Sequence, residues 1–203
     1  MKSSDYRVRL AGTEDVAGLQ EIERQAASRF VDYLAKVGLT EEDLDRATSA
    51  EEFDSAQRAG RLWVAESRSR EVVGFALVID FRPFAHLDEL DVLPAHGRRG
   101  AGSLLLQSVC AWACESGYSA VTLSTFRDIP WNRPFYERRG FRVVEPSTLS
   151  ERHVQLVDDE REHGRRTDLR AVMAYPLQAS WPPPNSPKPN ASPASGTPRT
   201  RVS

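Results

Sequence analysis

The sequence predicts a single α/β domain, and three observations carry that reading. Leu87–Ser116 runs as a strand, a turn rich in Gly and Arg, and a helix. Arg61–Glu66 and Val72–Asp80 are rich in β-formers and split by a short polar turn, the pattern of an antiparallel hairpin. Further strand-like and helix-like stretches follow one another on either side of these two blocks. A chain of 203 residues is long enough to close one sizeable core.

In chain order, Tyr6–Leu10 alternates as a short first strand. Thr13 fits the N-cap of a helix from Glu14 to about Tyr33, with Val16, Leu19, Ile22 and Ala26 inward. Thr40 opens a second helical piece and Ala50–Ala59 forms a third. All are acidic and polar, so each covers the sheet through one thin apolar stripe. The turn at Ser67–Arg70 joins the arms of the hairpin, and Pro83 marks entry into the central strand. There Leu87, Glu89 and Asp91 alternate with Asp88, Leu90 and Val92, which suits a strand with one polar face. Pro94 ends it, having no N–H to give a ladder. Beyond Gly102, Leu105, Val109, Trp112 and Ala113 share one helical face until Gly117.

Ala120–Thr125 reads as a buried strand, and Asn132–Arg139 as a short helix stopped by Gly140. Phe141–Val144 and Arg170–Tyr175 are the last two strands, and the charged Leu149–Gly164 between them is a surface helix or ordered excursion. The domain is expected to occupy residues 1–178. From Trp181 onward lie seven of the thirteen prolines, among Ser, Asn and Thr. Such a composition buries too little apolar area to offset ordering, so residues 179–203 are expected to form a disordered tail.

A formal net charge of −2 argues against a general nucleic-acid or membrane surface. MKSSDYRVRL has no apolar run like a signal peptide, and no stretch reaches membrane-spanning length. Cys110 and Cys114, four apart on one expected helix, are core fillers rather than a disulfide framework, which favours a reducing compartment. A cytoplasmic location is the expectation. His86, His96, His153 and His163 lack ligand spacing, so no metal is expected.

The candidate binding element is Gly97, Arg98, Arg99, Gly100, Ala101, Gly102 and Ser103. Glycines let a backbone approach a ligand closely, and the first turn of a helix leaves its N–H groups unpaired. Those donors, the positive helix end and two arginines make a seat for phosphate; the alternative is a solvated turn with two surface arginines. The spacing also imitates a dinucleotide fingerprint. That fold opens with a parallel βαβ unit and an acidic residue ending the next strand, whereas here a hairpin precedes and Ser124-Thr125 follows. No Gly-Lys-Ser/Thr exists for a Walker loop.

Over roughly Tyr6–Tyr175 the order of elements resembles the GNAT superfamily of acetyl-CoA-dependent N-acetyltransferases. Its acetyl-CoA signature, Gln/Arg-x-x-Gly-x-Gly/Ala, is matched by Gly97–Gly102, with Gly97 departing at the first position. Its Tyr-x-x-x-Gly-Phe segment is matched by Tyr136–Phe141, while Ile129 stands where the family carries an Asn. The resemblance implies the GNAT fold, a mixed, mostly antiparallel sheet with helices on both faces. It also implies transfer of acetyl from acetyl-CoA to a primary amine, a small molecule or a peptide, by direct attack in a ternary complex. Dimers are frequent in the family, so a homodimer is allowed.

By the same resemblance, the backbone of Leu90 and Val92 grips the pantetheine arm, and a backbone N–H there polarises the thioester carbonyl. Tyr136 is the general acid, since a phenol is protonated at neutral pH yet can relay a proton to a thiolate. Glu89 is the first candidate for the base and His86 the second, acting directly or through water. The carboxylates of Asp88, Glu89 and Asp91 point to a cationic amine, with Glu23 and Phe30 as pocket walls. Trp131, Pro134 and Phe135 form an apolar shoulder beside Tyr136. A catalytically silent GNAT-fold module that binds acetyl-CoA or a partner is the alternative.

Overall fold

The computed structural model describes residues 5–145, 151, 153–155 and 167–178. In chain order the elements are β1 (Tyr6–Leu10), α1 (Val16–Ala27), a 3-10 segment (Ser28–Tyr33), α2 (Leu34–Val37), α3 (Glu41–Asp45) and α4 (Ala50–Arg58). The hairpin β2 (Leu62–Ser67) and β3 (Val72–Phe81) leads into β4 (Phe84–Val92), then α5 (Ala101–Glu115), β5 (Ala120–Phe126), α6 (Arg133–Glu137), β6 (Arg142–Val143) and β7 (Arg170–Pro176). The seven strands form one sheet in the order β1-β2-β3-β4-β5-β7-β6. Among the described residues only β4 and β5 run parallel. The expected mixed, mostly antiparallel sheet is therefore what forms.

Helices cover both faces because the strand residues alternate between two apolar layers. Leu105, Leu106, Val109 and Ala113 of α5 pack against Trp63, Ala65, Val78, Leu87, Val121 and Leu123. On the other side, Leu19 and Ile22 of α1 and Phe53 and Ala56 of α4 meet Leu62, Val64, Phe75 and Leu77. Phe53 and Phe75, both fully buried, meet edge to face at 5.2 Å.

Local chemistry corrects several boundaries. Asp15, not Thr13, sits at the N-cap of α1; its carboxylate accepts from Arg9 at 2.6 and 2.9 Å and from the Gly12 N–H at 2.7 Å. The long helix expected over Glu14–Tyr33 ends at Ala27 and continues as the tighter 3-10 turn. Thr40 and Ser49 each close a capping box, with Asp43 and Glu52. The expected Asn132–Arg139 helix shrinks to α6, and Gly140 follows at φ +89°. Cys110 packs against the α5 layer as expected, but Cys114 is exposed. Of the charged 149–164 segment only Glu151 and His153–Gln155 are described, in helical conformation; the rest, and the 179–203 tail, lie outside the described residues.

The register between β3 and β4 slips once. Leu77 pairs with Glu89 and Val78 with Leu87, leaving Asp88 as the extra residue of a bulge. Simple alternation puts Leu87 on the face of Glu89 and Asp91. The extra residue instead brings Leu87 into line with Leu90 and Val92, which all pack on the α5 side. Glu89 and Asp91 thereby turn to the α1 side.

Pairing between β4 and β5 runs from Phe84↔Ala120 to Leu87↔Leu123 and stops. Beyond it β4 is held by β3 alone and β5 by β7 alone. A gap opens between Asp88–Val92 and Ser124–Phe126, edged by peptide groups that the sheet does not use.

Beside the closed end of that gap lies a sealed polar cluster. Thr122 Oγ1 is 3.0 Å from His86 Nδ1 and 2.9 Å from His153 Nε2, and all three residues are buried. One hydroxyl can accept from one imidazole while donating to the other. Burial pushes the His86 imidazole down to about 3 and that of His153 to about 4. Both rings are neutral in the folded protein, whereas the unfolded chain takes up protons below its ordinary histidine pKa. Their contribution to stability is therefore present above about pH 6.5 and lost as pH falls toward 4. Thr122→Val removes the shared partner, and at pH 7.5 it should cost about 2 kcal/mol, lowering Tm by about 4–8 °C in a thermal melt.

Candidate active site

The turn after β4 is held from both sides. Pro94–His96 forms a 3-10 turn, with the Gly97 N–H donating to the Pro94 carbonyl at 3.1 Å. The His96 ring meets the Tyr6 hydroxyl at 3.0 Å, which pins the turn to β1. Arg98 and Gly100 then take left-handed backbone angles, φ +58° and +105°, and Gly100 starts α5 without a side-chain cap. Glycine suits that position because any Cβ is strained there.

The Gly100 carbonyl accepts the N–H groups of Ser103 and Leu104, at 3.0 and 3.1 Å. Among the described residues no hydrogen bond engages the N–H of Ala101 or Gly102, and no ion pair engages Arg98 or Arg99. Two open donors, two exposed cations and a helix dipole thus converge on one spot. Ser103 is differently placed, since its hydroxyl accepts from the Arg139 guanidinium. Arg139 also donates to the Phe135 carbonyl at 2.7 Å and lies 3.7 Å over the Phe135 ring, tying α6 to the first turn of α5. Nothing in the sequence marked Arg139 for that task.

Leu90 and Val92 lie on the open edge of β4, their side chains half-buried against the α5 layer. The β3 side of this edge is tight: a Cβ at Gly74 would sit 2.5 Å from the Asp91 carbonyl oxygen. Across the pleat are Glu89 and Asp91, with Glu23 of α1 bearing on both. Burial raises the Glu89 carboxyl well above its usual range, and Asp91, Asp88 and Glu23 add to the rise. Burial, then Glu23, pushes Asp91 up to about 8 against the pull of Arg29. Glu23 is raised by burial too, although it accepts the Thr48 N–H at 3.0 Å and faces the Thr48 hydroxyl at 3.2 Å. A carboxylate so destabilised binds protons firmly enough to take one from an ammonium group near neutral pH. His86, the second base candidate, is only 1% exposed, bonded to Thr122 and stacked on Phe81 at 5.0 Å, so it does not reach the gap.

Tyr136 arrives from α6, buried between Phe135 and Phe141 at centroid distances of 5.0 and 5.8 Å. Burial raises its phenol, and the charges of Asp91 and Glu89 raise it further. It keeps its proton at neutral pH, as a donor must. Sequence reasoning missed two neighbours. Arg170 donates to the Ser124 hydroxyl at 2.9 Å, lies 4.9 Å over Phe126, and its charge reaches Glu89 and Tyr136. Arg29 lies 4.9 Å over Trp131. Phe30 packs on Phe126 and Trp131 at 5.4 and 6.0 Å, and Tyr33 meets Trp131 at 4.8 Å, forming an aromatic wall.

Among the described residues no group of His, Cys, Asp and Glu could hold a metal ion, and no helix is long and apolar enough to cross a membrane. The arrangement brings together an open strand edge, two open N–H groups with two cations at one end, and a phenol and carboxyls whose charges act on one another.

The model of the acetyltransferase (GNAT) family matches residues 19–141. Among solved structures, the chain is similar to the PaiA N-acetyltransferase of Thermoplasma acidophilum in complex with coenzyme A, at 18% identity and a TM-score of 0.64 over 84% of this chain and 98% of that one. It is also similar to the N-acetylglutamate synthase of Neisseria gonorrhoeae complexed with coenzyme A and N-acetyl-glutamate, at 18% identity and a TM-score of 0.65. That match covers 87% of this chain but 36% of the larger one. A third likeness is the ribosomal-protein-S18-alanine N-acetyltransferase of Escherichia coli, at 18% identity and a TM-score of 0.58 over 85% and 94% of the two chains. At these identities the likeness carries the fold.

Proposed function

This chain belongs to the acetyltransferase (GNAT) family, and from that premise we propose that it transfers acetyl from acetyl-CoA to a primary amine by direct attack in a ternary complex. The observation that carries the reading is the unpaired edge of β4, which runs from the open N–H groups of Ala101 and Gly102 toward Glu89, Asp91 and Tyr136. That relatives of the same fold were crystallised with coenzyme A supports the choice of cosubstrate.

In this reading Arg98, Arg99 and the start of α5 take the diphosphate of acetyl-CoA. The peptide groups of Leu90 and Val92 hold the pantetheine arm as a strand would, and one N–H of that edge polarises the thioester carbonyl. Glu89 takes a proton from the acceptor ammonium, and the freed amine attacks the carbonyl carbon. As the C–S bond breaks, the sulfur leaves with its electron pair, Tyr136 gives it a proton, and the second proton shed by the attacking nitrogen restores the phenol. Asp91 and Glu23 keep the Glu89 proton affinity high.

Release of free thiol from acetyl-CoA, followed over a panel of amines and peptides, tests the reading. Turnover of at least one primary amine is expected. Binding without thiol release across the whole panel would leave only a binding module. In calorimetry, Arg98→Ala with Arg99→Ala should weaken acetyl-CoA binding about tenfold or more, since each charge-assisted phosphate contact is worth about 1.5–3 kcal/mol before solvent screening. Both side chains are exposed, so the melting temperature should stay within about 1 °C.

A further inference from the structure

The charged groups around the gap fall into two sets. Glu89 and Asp91 on β4 and Glu23 on α1 form the acidic one. Arg29 and Arg170 form the basic one, and each rests on an aromatic ring, Trp131 and Phe126 respectively, at 4.9 Å. Arg170 is engaged, donating to the hydroxyl and the carbonyl of Ser124 at 2.9 and 3.3 Å. Arg29 is exposed, and among the described residues no hydrogen bond or ion pair engages its guanidinium. The charges acting on it are Arg98, which repels it, and Asp91, which attracts it.

A guanidinium carries five donors in a planar fork that fits a carboxylate in bidentate fashion. Holding such a long side chain in place costs conformational entropy. Here the cost is met in advance by the stack on Trp131, itself braced by Phe30 and Tyr33. The same stacking weakens the rival idea of a polycationic acceptor lying on the aromatic wall, because Trp131 and Phe126 each already carry a cation on one face. The charge of Asp91 acts on Arg29, so Arg29 lies within electrostatic reach of the carboxylates that would receive the amine. The diphosphate seat has two open cations of its own in Arg98 and Arg99.

We propose that the acceptor carries a carboxylate together with its amine, as a free amino acid does, and that Arg29 binds that carboxylate. This rests on the acetyl-transfer reading of the site. The acidic set then faces the amine and Arg29 faces the carboxylate, so a zwitterionic acceptor meets a complementary charge at each end.

The test compares amino acids with their decarboxylated amines in the thiol-release assay, using the wild type, Arg29→Ala and Arg29→Lys. Calorimetry of N-acetyl amino acids against the matched N-acetyl amines, on protein saturated with CoA, supplies a readout that needs no turnover. The wild type should prefer the carboxylated partner about tenfold or more in both measurements, through KM rather than kcat. Arg29→Ala should erase that preference, Arg29→Lys should restore part of it, and KM for acetyl-CoA should stay within about twofold. Equal or better use of decarboxylated amines by the wild type would overturn the proposal. So would a rise in KM for acetyl-CoA in Arg29→Ala with the acceptor preference intact, which would assign Arg29 to a cosubstrate phosphate. Absence of all turnover would count against acetyl transfer, and the calorimetric comparison would still decide the role of Arg29.

Discussion

Tyr136→Phe should lower kcat about a hundredfold and leave KM for acetyl-CoA within about twofold. The substitution removes one oxygen and keeps the ring between Phe135 and Phe141, so the melting temperature should barely move. What disappears, in the proposed mechanism, is the proton for the departing sulfur. Because burial, Asp91 and Glu89 hold the phenol above its ordinary pKa, Tyr136 stays protonated through the neutral and mildly basic range. A fall in activity between pH 7 and 9 should therefore not trace to this residue. The variant should lose least on acetyl thioesters of acidic thiols, whose thiolates leave without help. A kcat within twofold of wild type would remove Tyr136 from the chemistry and leave it a packing role.

Glu89→Gln should reduce kcat/KM about a hundredfold at pH 7, and the shape of its pH profile is as informative as the loss. Glu89 and Asp91 both hold their protons above the usual carboxylate range, Asp91 to about 8. A base must first be ionised, so wild-type kcat/KM should climb as pH rises from 6 through 8, a limb belonging to the pair rather than to one member. In Glu89→Gln that limb should flatten. Stability should move the other way. A carboxyl whose pKa is raised by folding contributes most at low pH and loses that contribution as pH rises through the folded value. The neutral amide avoids this, so the variant should melt about 3 °C higher than wild type at pH 8 and little differently at pH 4. Lost activity with unchanged or reduced stability at pH 8 would contradict a half-buried, repelled carboxylate at this position.

Much of the fold was legible because local signals agreed with the tertiary outcome. The hairpin, the stop at Pro94, the apolar face of α5 and the glycine after α6 each needed only a few neighbouring residues to specify them. The turn before α5 was legible for the same reason, since Gly97–Gly102 carries its own backbone preferences. What stayed hidden depends on contacts distant in sequence. The hydrogen bond to the Ser103 hydroxyl comes from Arg139, 36 residues on, which no local pattern announces. His86 looked like a base until Thr122 and His153 enclosed it. Arg29 sat at the end of an expected helix with nothing to distinguish it, because Trp131 meets it only after β5 has turned the chain back. The two faces of β4 were misassigned since alternation assumes an unbroken ladder, and the slip at Asp88 belongs to the pairing with β3.

That slip has an evolutionary corollary. Point substitutions along β4 change one contact at a time and leave its neighbours facing the same way. Deleting Asp88 would close the slip without turning the strand over: Leu87 and Glu89 would become neighbours opposite Val78 and Leu77, leaving Glu89 and Asp91 on the α1 side and Leu90 and Val92 on the α5 side. Lineages can therefore shed that one residue and keep both faces of the strand, whereas losing a residue from within Glu89–Val92 would carry the residues beyond it to the opposite face.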